Sequence, residues 1–169
     1  MILAAGLTPA WQRILRFGQL QLGEVNRAVE AYACASGKVI NVGLALHALE
    51  ASQAKTLALI GGETGDAIER EFAQSGVTAR WVPSSRATRV CTTLLEDNGR
   101  TTELVENAAP ASAEELEAFA AAYREEASSA AVAVLTGSLP QGTPREYYRQ
   151  LLDAAAVPTV ADIRGPELM

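Results

Sequence analysis

A lysine at the predicted start of a helix is the first residue that could bind a ligand. Apolar residues recur every third or fourth position over 39–49 and predict a helix that Gly37 opens. The free backbone N–H groups and the dipole at such a start favour an anion beside Lys38, and Asn41, one turn later, faces the same side. The stretch is not a P-loop, because the upstream glycine of that motif is missing and valine follows the lysine. A solvated lysine at a helix start is the alternative interpretation.

Two further polar positions stand at the borders of predicted strands. Arg89 opens a β-branched run, and its guanidinium offers a fork for a phosphate or a carboxylate. Ser138 lies in a Gly/Pro loop after the apolar run 130–135, and open α/β sheets bind ligands at the carboxyl ends of their strands. A surface arginine and a plain strand-to-helix connection are the alternatives. A nucleophilic role for Ser138 is disfavoured, because the one histidine, His47, lies on a predicted helix and no Ser–His–acid set is evident.

Composition and charge exclude several functional classes. The 169 residues are 49% hydrophobic and 20% charged, which predicts one globular domain with a real core. A net charge of −6 disfavours nucleic acid or an anionic membrane as a partner. Cys34, Cys91 and the single histidine show no metal-ligand spacing, so we expect no metal site from them and free thiols in a reducing cytoplasm. No apolar run approaches the roughly 18 residues that span a bilayer.

The elements that must position these groups alternate along the chain. Strands are predicted at 2–7, 55–60, 77–82, 130–135 and 158–161, and helices at 37–49, 66–74, 112–126 and 144–156. The alternation predicts an α/β fold whose mostly parallel sheet is covered by helices. Asp66 is expected to cap the second helix, and Ser112 with Glu115 predicts a capping box on the third. The run 130–135 is expected to be the most buried strand.

Two segments, 13–33 and 88–106, interrupt this alternation. Each is predicted to form a hairpin, and Asn98-Gly99 in the second is a strong turn signal between strands. Together they predict one separate small sheet. From Asp162 onward the chain begins another strand–loop–helix step and stops, and a parallel sheet left open there exposes unpaired backbone groups. From this pattern we expect a fragment, truncated at its C-terminal end.

Taken in order, these motifs resemble the ribokinase-like PfkB carbohydrate kinases, in particular their 1-phosphofructokinase and tagatose-6-phosphate kinase branch. The matching stretches are Leu-Thr-Pro-Ala at 7–10, Gly-Glu-Val-Asn at 23–26, Gly-Lys-Val-Ile-Asn-Val at 37–42, Thr-Arg at 88–89, Thr-Glu-Leu at 102–104, Gly-Ser-Leu-Pro-Gln-Gly at 137–142, and Asp162 with Gly165 and Leu168. The resemblance implies a Rossmann-like, mostly parallel sheet with helices on both faces. It also implies a small β lid over the sugar, formed by 13–33 and 88–106.

The resemblance implies transfer of the γ-phosphoryl group of MgATP to a sugar hydroxyl. In that family's arrangement, Gly37 and Asn41 contact sugar hydroxyls, and Lys38, Arg89 and Ser138 hold a phosphate that the sugar already carries. A helix N-terminus with one or two cations is what a dianionic sugar phosphate needs, even on an acidic protein.

Three further positions lie on or near the implied sugar site. Glu103 belongs to the lid and is expected to line the site. Gln12 stands where the family has an aspartate, and its amide hydrogen-bonds without carrying a charge. Val39 replaces a small residue beside the lysine and is expected to narrow the pocket.

The family's catalytic base lies in a D-T-x-G-A-G-D motif that these 169 residues do not contain. The resemblance therefore implies that ATP and Mg²⁺ bind mainly to sequence beyond Met169, and that this chain alone is inactive. The parent is expected to phosphorylate fructose 1-phosphate, tagatose 6-phosphate or fructose 6-phosphate, with a homodimer through the lid. Two alternatives stay open: a non-catalytic sugar-phosphate binder that is complete at this length, and a parent kinase for an unphosphorylated sugar or nucleoside.

Overall fold

Strands and helices alternate through residues 1–49 and 53–163, which are the residues described by the computed structural model. The elements are β1 (Ile2–Gly6), β2 (Ala10–Phe17), β3 (Glu30–Ser36), α1 (Lys38–Ala48), β4 (Ala54–Ile60), α2 (Gly62–Ser75), β5 (Ala79–Pro83), β6 (Val90–Glu96), β7 (Thr101–Val105), α3 (Ala113–Ser128), β8 (Val132–Thr136), α4 (Tyr147–Ala154) and β9 (Thr159–Asp162). Gly165 and Leu168, which carry part of the resemblance, lie outside the described residues.

The main sheet has the order β5-β4-β1-β8-β9, and all of its neighbouring strands are parallel. The chain runs outward from β1 through β4 to β5 and then returns to the other side of β1 at β8. Strand order therefore reverses beside β1, and ligands of open α/β sheets bind at the carboxyl ends of the strands at such a point. The predicted α/β fold is confirmed.

Helices cover both faces of this sheet because its central strands are apolar on both sides. On β4, Leu57 and Leu59 pack with α3 and α4, whereas Ala58 and Ile60 pack with α1 and α2. The prediction that 130–135 is the most buried strand is wrong. Val132 and Val134 on β8 are only half-buried, while β1 and β4 are buried along most of their length. β8 has only the short edge strand β9 beyond it, so its α1-facing side is incompletely covered.

α1 approaches β4 closely at a glycine. A Cβ atom on Gly43 would overlap the Oγ1 atom of Thr56, which is fully buried on β4. That hydroxyl has no hydrogen-bond partner among the described residues. The absence of a side chain at position 43 thus sets the depth at which α1 packs on the sheet.

α2 begins four residues earlier than predicted. Gly61 is its N-cap, so the prediction that Asp66 caps this helix is wrong. The reason is the close approach of the 84–87 segment: a Cβ on Gly61 would overlap the carbonyl oxygens of Ser84 and Arg86. The Gly61 N–H donates instead to the Thr88 hydroxyl, 3.1 Å away. At the other end Gly76 ends the helix with φ 70°, a left-handed conformation that favours glycine.

α3 is tied to the sheet by a partly buried ion network. The Nζ atom of Lys55 donates to both carboxylate oxygens of Glu126, at 2.7 and 2.9 Å, and Arg80 donates to Glu126 at 3.1 Å and to Glu125 at 2.8 Å. The side chain of Glu126 is 9% exposed, whereas that of Glu125 is 71% exposed. Burial acts to raise the pKa of Glu126, but the hydrogen bonds from Lys55 and Arg80 outweigh it and hold that pKa below its ordinary value. The capping box predicted for Ser112 and Glu115 is present at the start of α3.

The two irregular segments form the expected second sheet, in the order β3-β2-β6-β7. β2 pairs antiparallel with β3 and parallel with β6, and β7 pairs antiparallel with β6. Trp11 on β2 packs with Ala35 against the apolar cluster of α1 and α2. Because side chains alternate along a strand, the next residue, Gln12, faces the opposite side of this sheet.

Candidate functional site

A cavity of about 250 Å³ lies between the start of α1 and the Gln12 face of the second sheet. Six of the seven predicted site residues line it: Gln12, Gly37, Lys38, Asn41, Arg89 and Glu103. Ser138 is not among the lining residues. One lining residue that sequence reasoning missed as part of the site is Cys91, which pairs in register with Gln12.

Gly37 shapes the floor of the cavity. It is the N-cap of α1 with φ 97° and ψ 154°, and no described side chain caps this helix. A Cβ on Gly37 would come within 3.0 Å of the Cα atom of Pro9 and 3.1 Å of the backbone nitrogen of Ala10. Glycine is therefore needed both for the backbone conformation and for the closeness of the β1–β2 link. Backbone N–H groups of the first turn of α1 are left for a ligand.

Lys38 already holds a carboxylate. Its Nζ atom donates to both side-chain oxygens of Asp162, at 3.0 and 2.9 Å, and the Thr136 hydroxyl donates to the same carboxylate at 3.0 Å. The two charged side chains are 51% and 60% exposed. The hydrogen bond from Lys38, and then that from Thr136, lowers the pKa of Asp162. Sequence reasoning used Asp162 only as part of a motif and did not predict this contact.

Arg89 connects the link between β1 and β2 to the residue that follows β7, through backbone carbonyl groups. Its Nη2 atom donates to the Thr8 oxygen at 3.0 Å, Nη1 to the Glu106 oxygen at 3.2 Å, and Nε to the Pro9 oxygen at 3.4 Å. A guanidinium has five N–H donors, so three such bonds leave others for a ligand. Arg89 thus contributes a positive charge to the cavity wall and also fixes that wall.

On the second sheet, the side-chain amide of Gln12 is oriented by a neighbour. Its Nε2 atom donates to the Thr93 hydroxyl at 2.6 Å. Glu103 pairs in register with Thr93, so its side chain emerges on the same face. Among the described residues, the charged side chains that line the cavity are those of Lys38, Arg89 and Glu103, which gives a positive excess of one on an acidic chain.

The seventh predicted site residue, Ser138, lies outside the cavity, and so does Val39, which was expected to narrow it. Ser138 is exposed beside Thr8, with 3.2 Å between their hydroxyl oxygens, and the Thr8 hydroxyl also donates to the Ser138 carbonyl at 3.1 Å. Val39 is 1% exposed and packs against Gly6 in the core. The expectation that Val39 narrows the pocket is wrong, because one residue along a helix rotates the side chain by about 100°, from the cavity to the sheet.

The family model of the pfkB family carbohydrate kinases matches residues 13–168. The chain belongs to the pfkB family of carbohydrate kinases. The predicted resemblance is confirmed at this level, and the branch within the family stays a prediction.

Solved structures share the fold of this pfkB family chain. Phosphofructokinase-2 from Escherichia coli in its tetrameric inhibited form matches with a TM-score of 0.90 and 24% identity, over 99% of this chain and 56% of that chain. The complex of the same enzyme with fructose-6-phosphate matches with a TM-score of 0.86 and 22% identity, over 99% of this chain and 57% of that chain. A Thermotoga maritima protein named as a possible 1-phosphofructokinase matches with a TM-score of 0.87 and 21% identity, over 95% of this chain and 52% of that chain. This chain spans just over half the length of these structures, and the likeness concerns the fold.

Kinases of the pfkB family generally use ATP and a divalent metal ion. Within residues 1–49 and 53–163, no group of three His, Cys, Asp or Glu side chains is placed to hold a metal ion. No helix in the same two ranges has the length and apolar character needed to cross a membrane.

Proposed function

We propose that this chain supplies the sugar-phosphate half-site of an ATP-dependent hexose-phosphate kinase. The observation that carries the proposal is the single cavity that gathers a helix start, Lys38 and Arg89 beside Gln12, Asn41 and Glu103. Two cations near a helix N-terminus suit a dianion, and amide and carboxylate groups suit sugar hydroxyls. The candidate substrates are fructose 1-phosphate, tagatose 6-phosphate and fructose 6-phosphate.

Each side chain has a role that follows from its position. Lys38 and Arg89 bind the phosphate already on the sugar, together with the backbone N–H groups at Gly37. Asn41 and Gln12 hydrogen-bond to hydroxyls, and the Gln12 amide is held in place for this by Thr93. Closure of the second sheet over the sugar excludes water from the hydroxyl that reacts.

The reaction itself requires groups that we place outside this chain. The catalytic base and most of the ATP and Mg²⁺ site belong to the part of the parent protein that corresponds to the other half of its solved relatives. When bound, MgATP supplies the phosphoryl group and neutralises its charge. A homodimer through the second sheet and a cytoplasmic location are part of the same proposal.

Calorimetry on the chain tests the half-site. We expect heat on titration with at least one of the three sugar phosphates. A hydrogen bond to a charged group contributes about 1.5–3 kcal/mol, and because Lys38 is half-exposed we take the lower end of this range. Lys38→Met should therefore bind the sugar phosphate about tenfold more weakly than wild type. Arg149→Met is the matched control, since Arg149 is exposed on α4 and does not line the cavity. Equal affinities for the Lys38 variant and the wild type would refute the assignment.

A turnover assay separates the half-site from the whole enzyme. We expect the chain, incubated with MgATP and the sugar phosphate it binds, to release no ADP above background. Stoichiometric turnover would show that the base lies within these residues. Turnover by a longer parent protein with the same sugar phosphate would support the kinase half-site, whereas a stop codon directly after Met169 in the gene would favour the non-catalytic binder that is complete at this length.

A second candidate is a kinase for a sugar that carries no phosphate. One observation favours it: Lys38 and Arg89 both have partners, Asp162 and three backbone carbonyls, and so need no anion. Fructose as titrant decides between the two. Binding of fructose as tight as that of fructose 6-phosphate would support the second candidate and reject the first.

A further inference from the structure

The ion pair of Lys38 and Asp162 joins one flexible side chain, which lines the cavity, to one fixed side chain. Asp162 is held by the Thr136 hydroxyl at 3.0 Å, and its backbone oxygen accepts the Gly137 N–H at 3.2 Å. Thr136 is itself fully buried on β8. Lys38, by contrast, reaches Asp162 from α1 through four rotatable carbons and has no other partner among the described residues.

A phosphate in the cavity must therefore compete for this lysine. Lys38 lines the cavity, whereas Asp162 stands beside it and does not. Among the described residues Lys38 is the one charged group in contact with Asp162, so movement of Lys38 would leave that carboxylate with the Thr136 hydroxyl alone. Both side chains are more than half exposed, so the pair is weak enough to be exchanged.

We propose that Asp162 is a positioning residue that holds Lys38 until a phosphate takes its place, and that it thereby sets the affinity of the site for anions. This inference rests on the proposed function, because it assigns the competing anion to the sugar phosphate. Lys38 swings between two acceptors, and Asp162 stays where β8 and β9 fix it. The site consequently binds phosphate less tightly than its charges alone would allow.

The first test is the affinity of Asp162→Asn for fructose 6-phosphate and for inorganic phosphate, measured by calorimetry in low salt. We expect about two- to fivefold tighter binding than wild type, which is what one exposed ion pair can contribute. Asp153→Asn on α4 is the matched control, because it removes one negative charge from an exposed position that does not line the cavity. Equal or weaker binding by Asp162→Asn would overturn the proposal.

The second test follows the lysine directly and does not depend on a variant. The chain has only two lysines, Lys38 and Lys55, so ¹³C-methylation of their amines gives an NMR spectrum with few signals. Saturating phosphate should shift the Lys38 signal and leave that of Lys55, which Glu126 holds, unchanged. The same phosphate should raise the pKa of the Asp162 carboxyl group, because its partner has left. An unchanged Asp162 titration in the presence of bound phosphate would refute the exchange.

The outcomes separate this inference from the function on which it rests. If wild type binds phosphate and Lys38→Met does not, but Asp162→Asn binds no tighter than wild type, only the role of Asp162 is wrong. If neither wild type nor Asp162→Asn binds any of the anions, the proposed function and the role of Asp162 both fail.

Discussion

Replacement of Gly43 by alanine tests how closely α1 must pack on the main sheet. In a helix interior alanine is favoured over glycine by about 1 kcal/mol. The new Cβ, however, would overlap the Thr56 hydroxyl, and overpacking a core costs about 1–3 kcal/mol. The overlap outweighs the propensity, so we expect Gly43→Ala to lower the free energy of unfolding by about 1 kcal/mol.

The same change should reverse its sign when Thr56 is alanine. That hydroxyl has no hydrogen-bond partner among the described residues, so its removal breaks no bond and opens the space that the new methyl group fills. In the Thr56→Ala background we expect Gly43→Ala to stabilise by about 1 kcal/mol, a coupling of about 2 kcal/mol between the sites.

Urea unfolding of the four proteins, followed by circular dichroism, measures this coupling. With an m-value of about 2 kcal/mol/M, each step of 1 kcal/mol moves the midpoint by about 0.5 M. Gly43→Ala alone should also weaken sugar-phosphate binding, since lifting α1 moves Lys38 and Asn41. If Gly43→Ala increased stability in the wild-type background as well as in the Thr56→Ala background, the close contact between position 43 and Thr56 would be refuted.

Two other sites give predictions on stability. Glu126→Gln should cost about 1.5–3 kcal/mol of unfolding free energy, since it leaves the partly buried Lys55 without a carboxylate and removes one of the two that Arg80 contacts. The exposed Glu125→Gln should cost under about 0.5 kcal/mol, and equal losses in urea unfolding would contradict the network. The folded state lowers the pKa of Glu126 below its ordinary value of 4.5. The stabilisation that the ionised Glu126 gives the folded state should therefore be complete above pH 4.5 and be lost as the pH falls through the lowered pKa. In Glu126→Gln, the stability measured across the same acid range should lack that loss. Gly137→Ala should cost about 1–2 kcal/mol because Gly137 has φ 98°, and a melting temperature equal to that of wild type would contradict this strain.

Local patterns were sufficient to predict the elements and their layers. Runs that are apolar on both faces predicted buried parallel strands, and Ser112 with Glu115 predicted the start of α3 because a capping box is made by residues three apart. The start of α2 was not predictable in this way. It depends on the 84–87 segment lying against Gly61, a contact between residues more than twenty positions apart.

The candidate site was predictable as a set of residues and less so in its contacts. Gly37, Lys38 and Asn41 share a helix start, and their common side follows from helical spacing. The contact of Lys38 with Asp162 spans 124 residues, and it exists only because β9 ends beside α1. The carbonyl partners of Arg89 could not be predicted from the sequence either, since every residue has a backbone carbonyl group. The roles of the site residues stay predictions.

The alternation of Trp11 and Gln12 on β2 restricts where the chain can change in length. One side chain packs in the apolar cluster and its neighbour lines the cavity, so inserting or deleting a single residue in β2 would place the indole in the cavity and the amide in the cluster. The link 18–29 between β2 and β3 is free of this restriction, and its Leu22 and Val25 are 85% and 80% exposed. Insertions and deletions in related chains should therefore collect in this link and spare the strands on either side.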